Sequence, residues 1–320
     1  MPAAWYLVTV VISFVAAVAT AVANAASNVL NRKATREEPA REAFRLTLIW
    51  HLLQRRTWLI AVAVMLLSFV LGAVALGTGE LAAVQTIIIL ELPITLIGGA
   101  WLLGGHLGAR DWVAIGAMTL GVIGFLLCLD PHSGGQASVP GLDWIIGSAV
   151  SGGLLLAAFL AARKARHPAR RAALLGVACG LAYGLAAAYT KGMTQQFSNG
   201  GITGVLASWQ LYAAAVAGLL GTWLLENAYH AGKLAAAQPG ITLVDPLVAT
   251  LWGVLAFGEQ VSGWPLLGLA ALPLLLLAGG VFLLSRSPVL GSAAGTGEPG
   301  GARAGPGGRA AEPARDAASG

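Results

Sequence analysis

Nine long apolar segments, separated by short polar or glycine- and proline-containing stretches, dominate the pattern of the chain. Each has close to the roughly 20 residues that an α-helix needs to cross a ~30 Å hydrocarbon core. None alternates apolar and polar residues with a period of two, as the strands of a membrane barrel do. The pattern therefore predicts an all-α polytopic membrane protein with nine transmembrane helices. They lie at about residues 5–30, 57–78, 81–104, 112–129, 143–162, 172–190, 202–224, 234–257 and 265–285.

Composition supports lipid as the solvent of these segments. Of the 320 residues, 57% are hydrophobic and 10% are charged, whereas a soluble domain has about 25% charged residues. The first segment has no Lys or Arg before Trp5 and is longer than the apolar core of a signal peptide, so we expect it to be retained as a helix. Cys128 and Cys179 both lie in apolar segments without metal-site spacing and are interpreted as core residues.

The basic residues predict the orientation of the chain. Threading the nine segments through a bilayer places 18 Lys and Arg residues on one side and Lys191 alone on the other. Basic residues near spans remain cytoplasmic. The N-terminus is therefore predicted outside and the C-terminus inside the cytoplasmic membrane. Because the net charge of +5 comes from these loops, nucleic acid is not expected as a partner.

An internal repeat links the two ends of the chain. Residues 79–106 align without a gap with residues 232–259, and ten of 28 positions are identical, including Pro93 with Pro246. The repeat unit is then four helices. A single extra helix between two such units inverts the second unit relative to the first. Inverted repeats are the architecture of many secondary transporters.

The predicted organisation has four parts. Residues 1–130 form the first four-helix repeat, and residues 172–286 form the second. Residues 131–171 hold the linking transmembrane helix and a basic cytoplasmic loop. Residues 287–320 are rich in Gly, Ala, Pro and Arg and are predicted to be a disordered cytoplasmic tail.

The stretch Asp245–Leu284 resembles the end of an EamA-type repeat of the drug/metabolite transporter superfamily. Pro246, Gly258, Glu259 and Gly268 match that pattern of a central proline, a Gly-Glu turn and a glycine-containing last helix. The predicted number of spans, nine, resembles that of the magnesium-transporter-like branch of the superfamily. The resemblance implies a permease with no enzymatic activity and no cofactor.

Each predicted four-helix unit also resembles a small multidrug resistance subunit. That family has a first helix that ends in a Lys-containing turn, and Ala26–Lys33 and Ala186–Gly192 have this form. The functional Glu of that family is absent from both corresponding helices, Tyr6–Leu30 and Ala172–Thr190.

Two acidic residues lie deep in apolar segments, where a charged group costs about 2.5–3.5 kcal/mol and normally faces a cavity. Glu91 and Asp245 both fall near the middle of their spans. Pro93 and Pro246 follow them closely and are predicted to break the helices and free backbone carbonyls. Either acid could bind a solute, a proton or a cation, and the alternative for each is a protonated helix-packing residue.

Further polar side chains extend this candidate site. Gln238 and Thr242 share a helix face with Asp245 because they precede it by seven and three residues. Gln85 is the repeat equivalent of Gln238. Amides in a bilayer more often join helices than bind substrate, so both interpretations remain open for the amides among the other candidates. The other candidates are three amides and two tyrosines, namely Asn24, Asn28, Gln210, Tyr183 and Tyr189.

The sequence favours a secondary transporter that moves a small polar or amphipathic solute by alternating access, coupled to a proton or cation. No catalytic motif of a metalloprotease, an α/β-hydrolase or a phosphate-binding loop occurs. Two other functions remain open, namely a divalent-cation carrier and a membrane scaffold subunit that does not transport. The lipid bilayer is the expected surrounding, and the chain could act as a monomer or a homodimer.

Overall fold

The computed structural model describes residues 3–36, 56–103, 107–130, 139–232, 234–261 and 269–286. Within these ranges the chain forms ten α-helices and no β-strand, which confirms the all-α fold. The predicted tail, residues 287–320, lies outside the described residues. In chain order, α1 to α10 are Ala3–Arg36, Arg56–Thr78, Leu81–Ile88, Glu91–Leu103, Ala109–Leu129, Gly141–Lys164, Pro168–Ala207, Trp209–Ala231, Leu234–Leu255 and Ala271–Ser285.

Several helices are long and apolar enough to cross a membrane. Six segments meet this criterion in the described part of the chain, and a bent pair that ends with α8 gives a seventh. The six are Val8–Leu30, Leu59–Thr78, Leu81–Trp101, Ala109–Leu129, Gly141–Lys164 and Pro168–Phe197. Large apolar side chains such as Leu127 (71% exposed) and Leu219 (72% exposed) point away from the protein, as lipid-facing residues do. The structure thus agrees with a membrane protein, while the count of nine spans stays a prediction.

The third apolar segment is broken in its middle. Helix α3 ends at Ile88 and α4 begins at Glu91, with a turn at residues 89–90 between them. Pro93 lacks the N–H group that would bond to the Ile89 carbonyl, and its ring crowds that turn. Leu92 N instead donates to Ile89 O at 3.2 Å. The break therefore lies one turn before Pro93 and places Glu91 at the start of a helix.

The break predicted at Pro246 is wrong, because α9 continues through Pro239 and Pro246 without interruption. Close packing against α7 supports α9 over this length. A Cβ atom added at Gly184 of α7 would lie 2.7 Å from Val248 Cβ and 3.1 Å from the Asp245 carbonyl oxygen. The proline still leaves the carbonyl of residue 242 without its helical donor.

Two breaks, one at Gly200–Gly201 and one at Ser208, displace the predicted segment at residues 202–224. Ser208 is extended (φ −77°, ψ 131°) and directly precedes α8. Within α7, Gly200 (φ −150°) and Gly201 (φ 57°) leave the helical conformation, which glycine does at low cost. The short piece Gly200–Ala207 is bent by 54° relative to α8. The straight helix therefore runs from Trp209 to Ala231, seven residues later than predicted.

The helices pack in two groups that meet in the middle. Helix α1 packs against α2, α3 and α4, and α7 packs against α8 and α9. Between the groups, α3 contacts α9, and α5 lies along α10. Glycine allows the closest approach: a Cβ atom at Gly240 of α9 would lie 2.7 Å from Val177 N of α7. The linking helix α6 packs on α7.

Candidate functional site

The two deep acids, predicted from separate repeats, come together in the interior. Glu91 is the first residue of α4, and Asp245 lies in the middle of α9. Their carboxylates are close enough to interact electrostatically. Two like charges this deep in a bilayer are costly unless donors or cations face them. The partners of each carboxylate therefore decide what the pair can do.

Amides from α1 satisfy Glu91. Asn28 Nδ2 donates to Glu91 Oε1 at 2.7 Å, and the Asn24 side chain lies near the same carboxylate. Asn24 in turn accepts from the Ser68 hydroxyl of α2. The two candidate amides of the first span thus lie at the first acid, and their contacts join α1, α2 and α4.

Asp245 has a different environment. Its Oδ1 atom is buried and has no hydrogen-bond partner among the described residues. Buried polar atoms are nearly always paired, so an unpaired carboxylate oxygen is an available acceptor. This oxygen can receive a proton, a cation or a donor group of a solute.

The rest of the predicted stripe on α9 is engaged internally. Gln238 Nε2 donates to Thr242 Oγ1 at 3.2 Å, and both side chains are buried. This i, i+4 contact follows from helical geometry. Gln238 and Thr242 therefore line the approach to Asp245 on one helix face while each occupies a polar atom of the other.

Tyr183 of α7 adds a ring and a hydroxyl to the acid pair. It interacts electrostatically with both Glu91 and Asp245. Its hydroxyl lies 3.4 Å from Thr222 Oγ1 of α8. Tyr183 thus lies within electrostatic range of the acid pair, while its hydroxyl faces Thr222. The acid cluster is therefore formed by Asn24, Asn28, Glu91, Tyr183 and Asp245.

The remaining candidates lie elsewhere. Gln85 is buried in α3, one turn before the helix break. Gln210 is buried at the start of α8, where a Cβ atom at Gly192 would lie 3.3 Å from its Cγ and 2.6 Å from the Trp144 ring. Tyr189 donates to Ser148 Oγ of the linking helix at 2.8 Å. Gln210 and Tyr189 thus belong to an aromatic region and not to the acid cluster.

That aromatic region is built around Trp144 of α6. The Trp144 ring lies 5.2 Å from Trp252, 5.3 Å from Trp209 and 5.7 Å from both Tyr189 and Phe257, measured between centroids. These five residues are the aromatic cluster. It joins the first turn of the linking helix to α7, α8 and the end of α9.

Next to the aromatic cluster lies an ion pair that the sequence did not single out. Glu259, after α9, pairs with Lys191 of α7. Glu259 Oε1 also accepts from Leu81 N at 2.6 Å, and Oε2 accepts from Ala82 N at 3.3 Å. Lys191 Nζ donates to Gly79 O at 3.0 Å. We call these contacts the Glu259 latch. Two signals could have indicated it, since Lys191 is isolated from all other basic residues and Glu259 lies in the Gly-Glu turn.

Comparisons with known proteins identify one relative. The chain is 29% identical over 242 residues to an uncharacterized protein of Corynebacterium glutamicum, an alignment that covers 73% of this chain and 80% of that protein. No protein-family model matches the chain. No solved structure matches it either.

Proposed function

We propose that the chain is a secondary transporter of the drug/metabolite class, a permease that moves a small polar or amphipathic solute across the cytoplasmic membrane. The observation that carries this proposal is the acid cluster. Elements from both predicted halves form it, and its Asp245 Oδ1 is buried without a partner. A buried acceptor that can be filled and emptied is what a carrier needs at its binding site.

The helix break at residues 89–90 supports a transport site at this position. Discontinuous helices near the bilayer midplane form the substrate and ion sites of many secondary transporters. Irregular backbone at that depth is tolerated where protein or a water-filled cavity surrounds it. Glu91, directly after the break, accepts a hydrogen bond from Asn28, which fixes its position. Asp245, in contrast, has an oxygen atom that is still free to bind a ligand.

Helix pairing supports alternating access. In the first group α1 packs against α2 and α4, and in the second α7 packs against α8 and α9. Under the predicted duplication these are equivalent sets. The contacts α3 with α9 and α5 with α10 then each pair a helix with its own equivalent. Two similar halves that meet at such contacts have two similar arrangements, each open to one face of the membrane.

The proposed driving force is an ion gradient that acts through Asp245. A proton or cation on the free oxygen neutralises a charge that is costly in lipid. Solute and ion then compete for one oxygen, so that loading of one favours release of the other. Glu91 completes the negative site without changing its own partners.

The two other functions remain as outcomes of the same experiment. A divalent-cation carrier requires several oxygen ligands in near-octahedral geometry, and the acid cluster supplies two carboxylates together with amide and phenol groups. A scaffold subunit requires no unpaired acceptor. We therefore place both below the solute permease.

The proposal is tested by solid-supported-membrane electrophysiology on reconstituted protein. Amino acids, amines, cationic drugs, sugars and Mg²⁺ are applied in turn to the wild type, to Asp245→Asn and to Asp143→Asn. Asp143 lies in the first turn of α6, outside the acid cluster, and its variant is the matched control. We expect a solute-evoked current in the wild type and in Asp143→Asn that Asp245→Asn loses.

A current for Mg²⁺ alone would replace the permease by the divalent-cation carrier. A current that persists in Asp245→Asn would remove Asp245 from the site. No current and no exchange of labelled solute for any compound, in a protein recovered only in a stoichiometric complex, would favour the scaffold.

A further inference from the structure

The Glu259 latch connects three parts of the chain that are distant in sequence. Glu259 follows the end of α9, Lys191 lies on α7, and Leu81 with Ala82 begins α3. Helix α3 belongs to the first predicted repeat, whereas α7 and α9 belong to the second. The latch is therefore a contact between the two halves at one end of the bundle.

Charge complementarity is strong at this contact. The Glu259 carboxylate accepts hydrogen bonds from the first amide groups of α3, where the helix dipole is positive. It also pairs with the Lys191 ammonium. Lys191 Nζ lies 5.2 Å from the centre of the Phe257 ring, within range of a cation–π contact. Glu259 is 4% exposed. The latch thus excludes water from an ion pair, two backbone amides and the Gly79 carbonyl.

The local backbone directs the Glu259 side chain from the end of α9 to the start of α3. Helix α9 ends at Leu255, and Gly258 has a φ of 64°, a left-handed conformation that suits glycine. Glu259 N then donates to Gly253 O at 2.8 Å, which turns the chain back along α9. A side chain of this length reaches the start of α3 only from such a turn.

We propose that the Glu259 latch is the gate of this face, and that Lys191 and Glu259 open and close it in each transport cycle. This inference rests on the proposed alternating access. When the halves separate at this end, water replaces the α3 amides at the carboxylate and the Gly79 carbonyl at the ammonium, while Lys191 and Glu259, both of the second half, stay paired. For a buried ion pair the desolvation cost is close to the gain in attraction. The contact can therefore close this side of the transport path and still open at a small cost in free energy.

The latch lies on the face that the distribution of basic residues predicts to be extracellular, since Lys191 is the isolated basic residue of that side. Beside it, the aromatic cluster lies between α6, α7, α8 and the end of α9, and Phe257 of this cluster contacts Lys191. The gate therefore has a polar contact with an adjoining apolar layer.

The test measures access to a thiol behind the gate and needs no solute. Gln85 is buried one turn inside Leu81. Gln85→Cys is made with Cys128→Ser and Cys179→Ser, so that it carries the single thiol. Oriented vesicles are exposed to a membrane-impermeant methanethiosulfonate reagent on one side at a time. Labelling rates are compared with and without Glu259→Gln.

Glu259→Gln keeps an acceptor for the α3 amides and leaves the buried ammonium without its counter-charge, which favours the open, hydrated arrangement. We expect labelling from the latch side to become about tenfold faster or more, with no change from the other side. Glu226→Gln is the control, because Glu226 is an exposed carboxylate near the C-terminal end of α8, outside the latch.

Lys191 provides a second route if Glu259→Gln folds poorly. Lys191→Gln is expected to label as fast as Glu259→Gln, whereas Lys191→Arg keeps the charge and labels as slowly as the parent. Equal rates in all variants, or faster labelling from both sides, would overturn the gate. Faster labelling from the latch side without any solute-evoked current would retain the gate and count against the permease. A current with unchanged labelling would do the reverse.

Discussion

Glu91 and Asp245 are carboxylates of similar depth in the same cluster, yet their surroundings give them different roles. Glu91 accepts from Asn28, so a protein amide takes the place of water at this carboxylate. Asp245 Oδ1 has no such donor among the described residues. The first acid therefore contributes to stability as well as charge, and the second lowers stability until a ligand or proton fills its free position.

This difference predicts opposite effects of neutral substitutions. Glu91→Ala leaves the Asn28 amide without its acceptor and is expected to lower the free energy of unfolding by about 1–3 kcal/mol. Asp245→Asn removes an uncompensated charge and is expected to leave it unchanged or raise it. Scanning calorimetry of both variants in detergent measures the two changes. Equal losses in the two variants would contradict the division of roles.

Some site residues could be predicted from the sequence because their chemistry is unusual for their position. Acids and amides stand out in apolar segments, and helical spacing placed Asn24 and Asn28 on one face. Spacing within one segment could not indicate that this face meets Glu91, since the contact joins α1 to α4. For the same reason Gln210 was grouped with the site although tertiary packing places it near Trp144.

At the scale of the elements, the two mid-segment prolines differ in their effect on helix continuity. Pro93 coincides with a break, whereas Pro246 lies in a continuous helix. The local effect of proline on its own hydrogen bond is the same in both helices. What differs is the packing of α9 against α7, which a sequence does not display. The start of α8 is set by Ser208, which is extended (φ −77°, ψ 131°), and the sequence next to it carries no proline or glycine that would have indicated this break.

The linking helix α6 illustrates how one residue can position an element. Its exposed side chains include Ile145 (67% exposed), while Trp144 is 6% exposed and contacts four aromatic rings. Trp144→Ala is expected to lower the free energy of unfolding by about 3–5 kcal/mol. Ile145→Ala is the control, with an expected change below about 0.5 kcal/mol.

The fraction of protein that remains monodisperse in size-exclusion chromatography after graded heating measures both changes. A Trp144→Ala protein as heat-resistant as Ile145→Ala would show that the aromatic cluster does not hold α6 in place.

At the scale of the whole molecule, the helical class and the apolar segments followed from composition and segment length alone. The arrangement of the segments did not, because every apolar helix satisfies the bilayer equally well. Close contacts decide it. A Cβ atom at Gly121 of α5 would lie 2.9 Å from Leu277 N of α10, which brings two distant helices into backbone contact. The orientation and the inverted repeat remain predictions of the charge pattern and the alignment.

The orientation is tested at the two ends of α6. Pro140 precedes this helix and His167 follows it, and both residues are exposed. Each is changed to Cys in a chain that carries Cys128→Ser and Cys179→Ser. We expect an impermeant maleimide to label Pro140→Cys in intact cells and His167→Cys only after permeabilisation. The reverse result would invert the topology, and labelling of both in intact cells would show that α6 does not span.

The aromatic cluster next to the latch gives the molecule an optical property. Three of its ten tryptophans, Trp144, Trp209 and Trp252, have neighbouring rings whose centres are 5.2–5.3 Å apart around Trp144. Indole rings in a dry cluster exchange excitation and emit at shorter wavelength than indoles in water. Separation of α6 or α8 from α9 would hydrate them and shift this emission. The unmodified protein thus carries an intrinsic fluorescent reporter next to the latch.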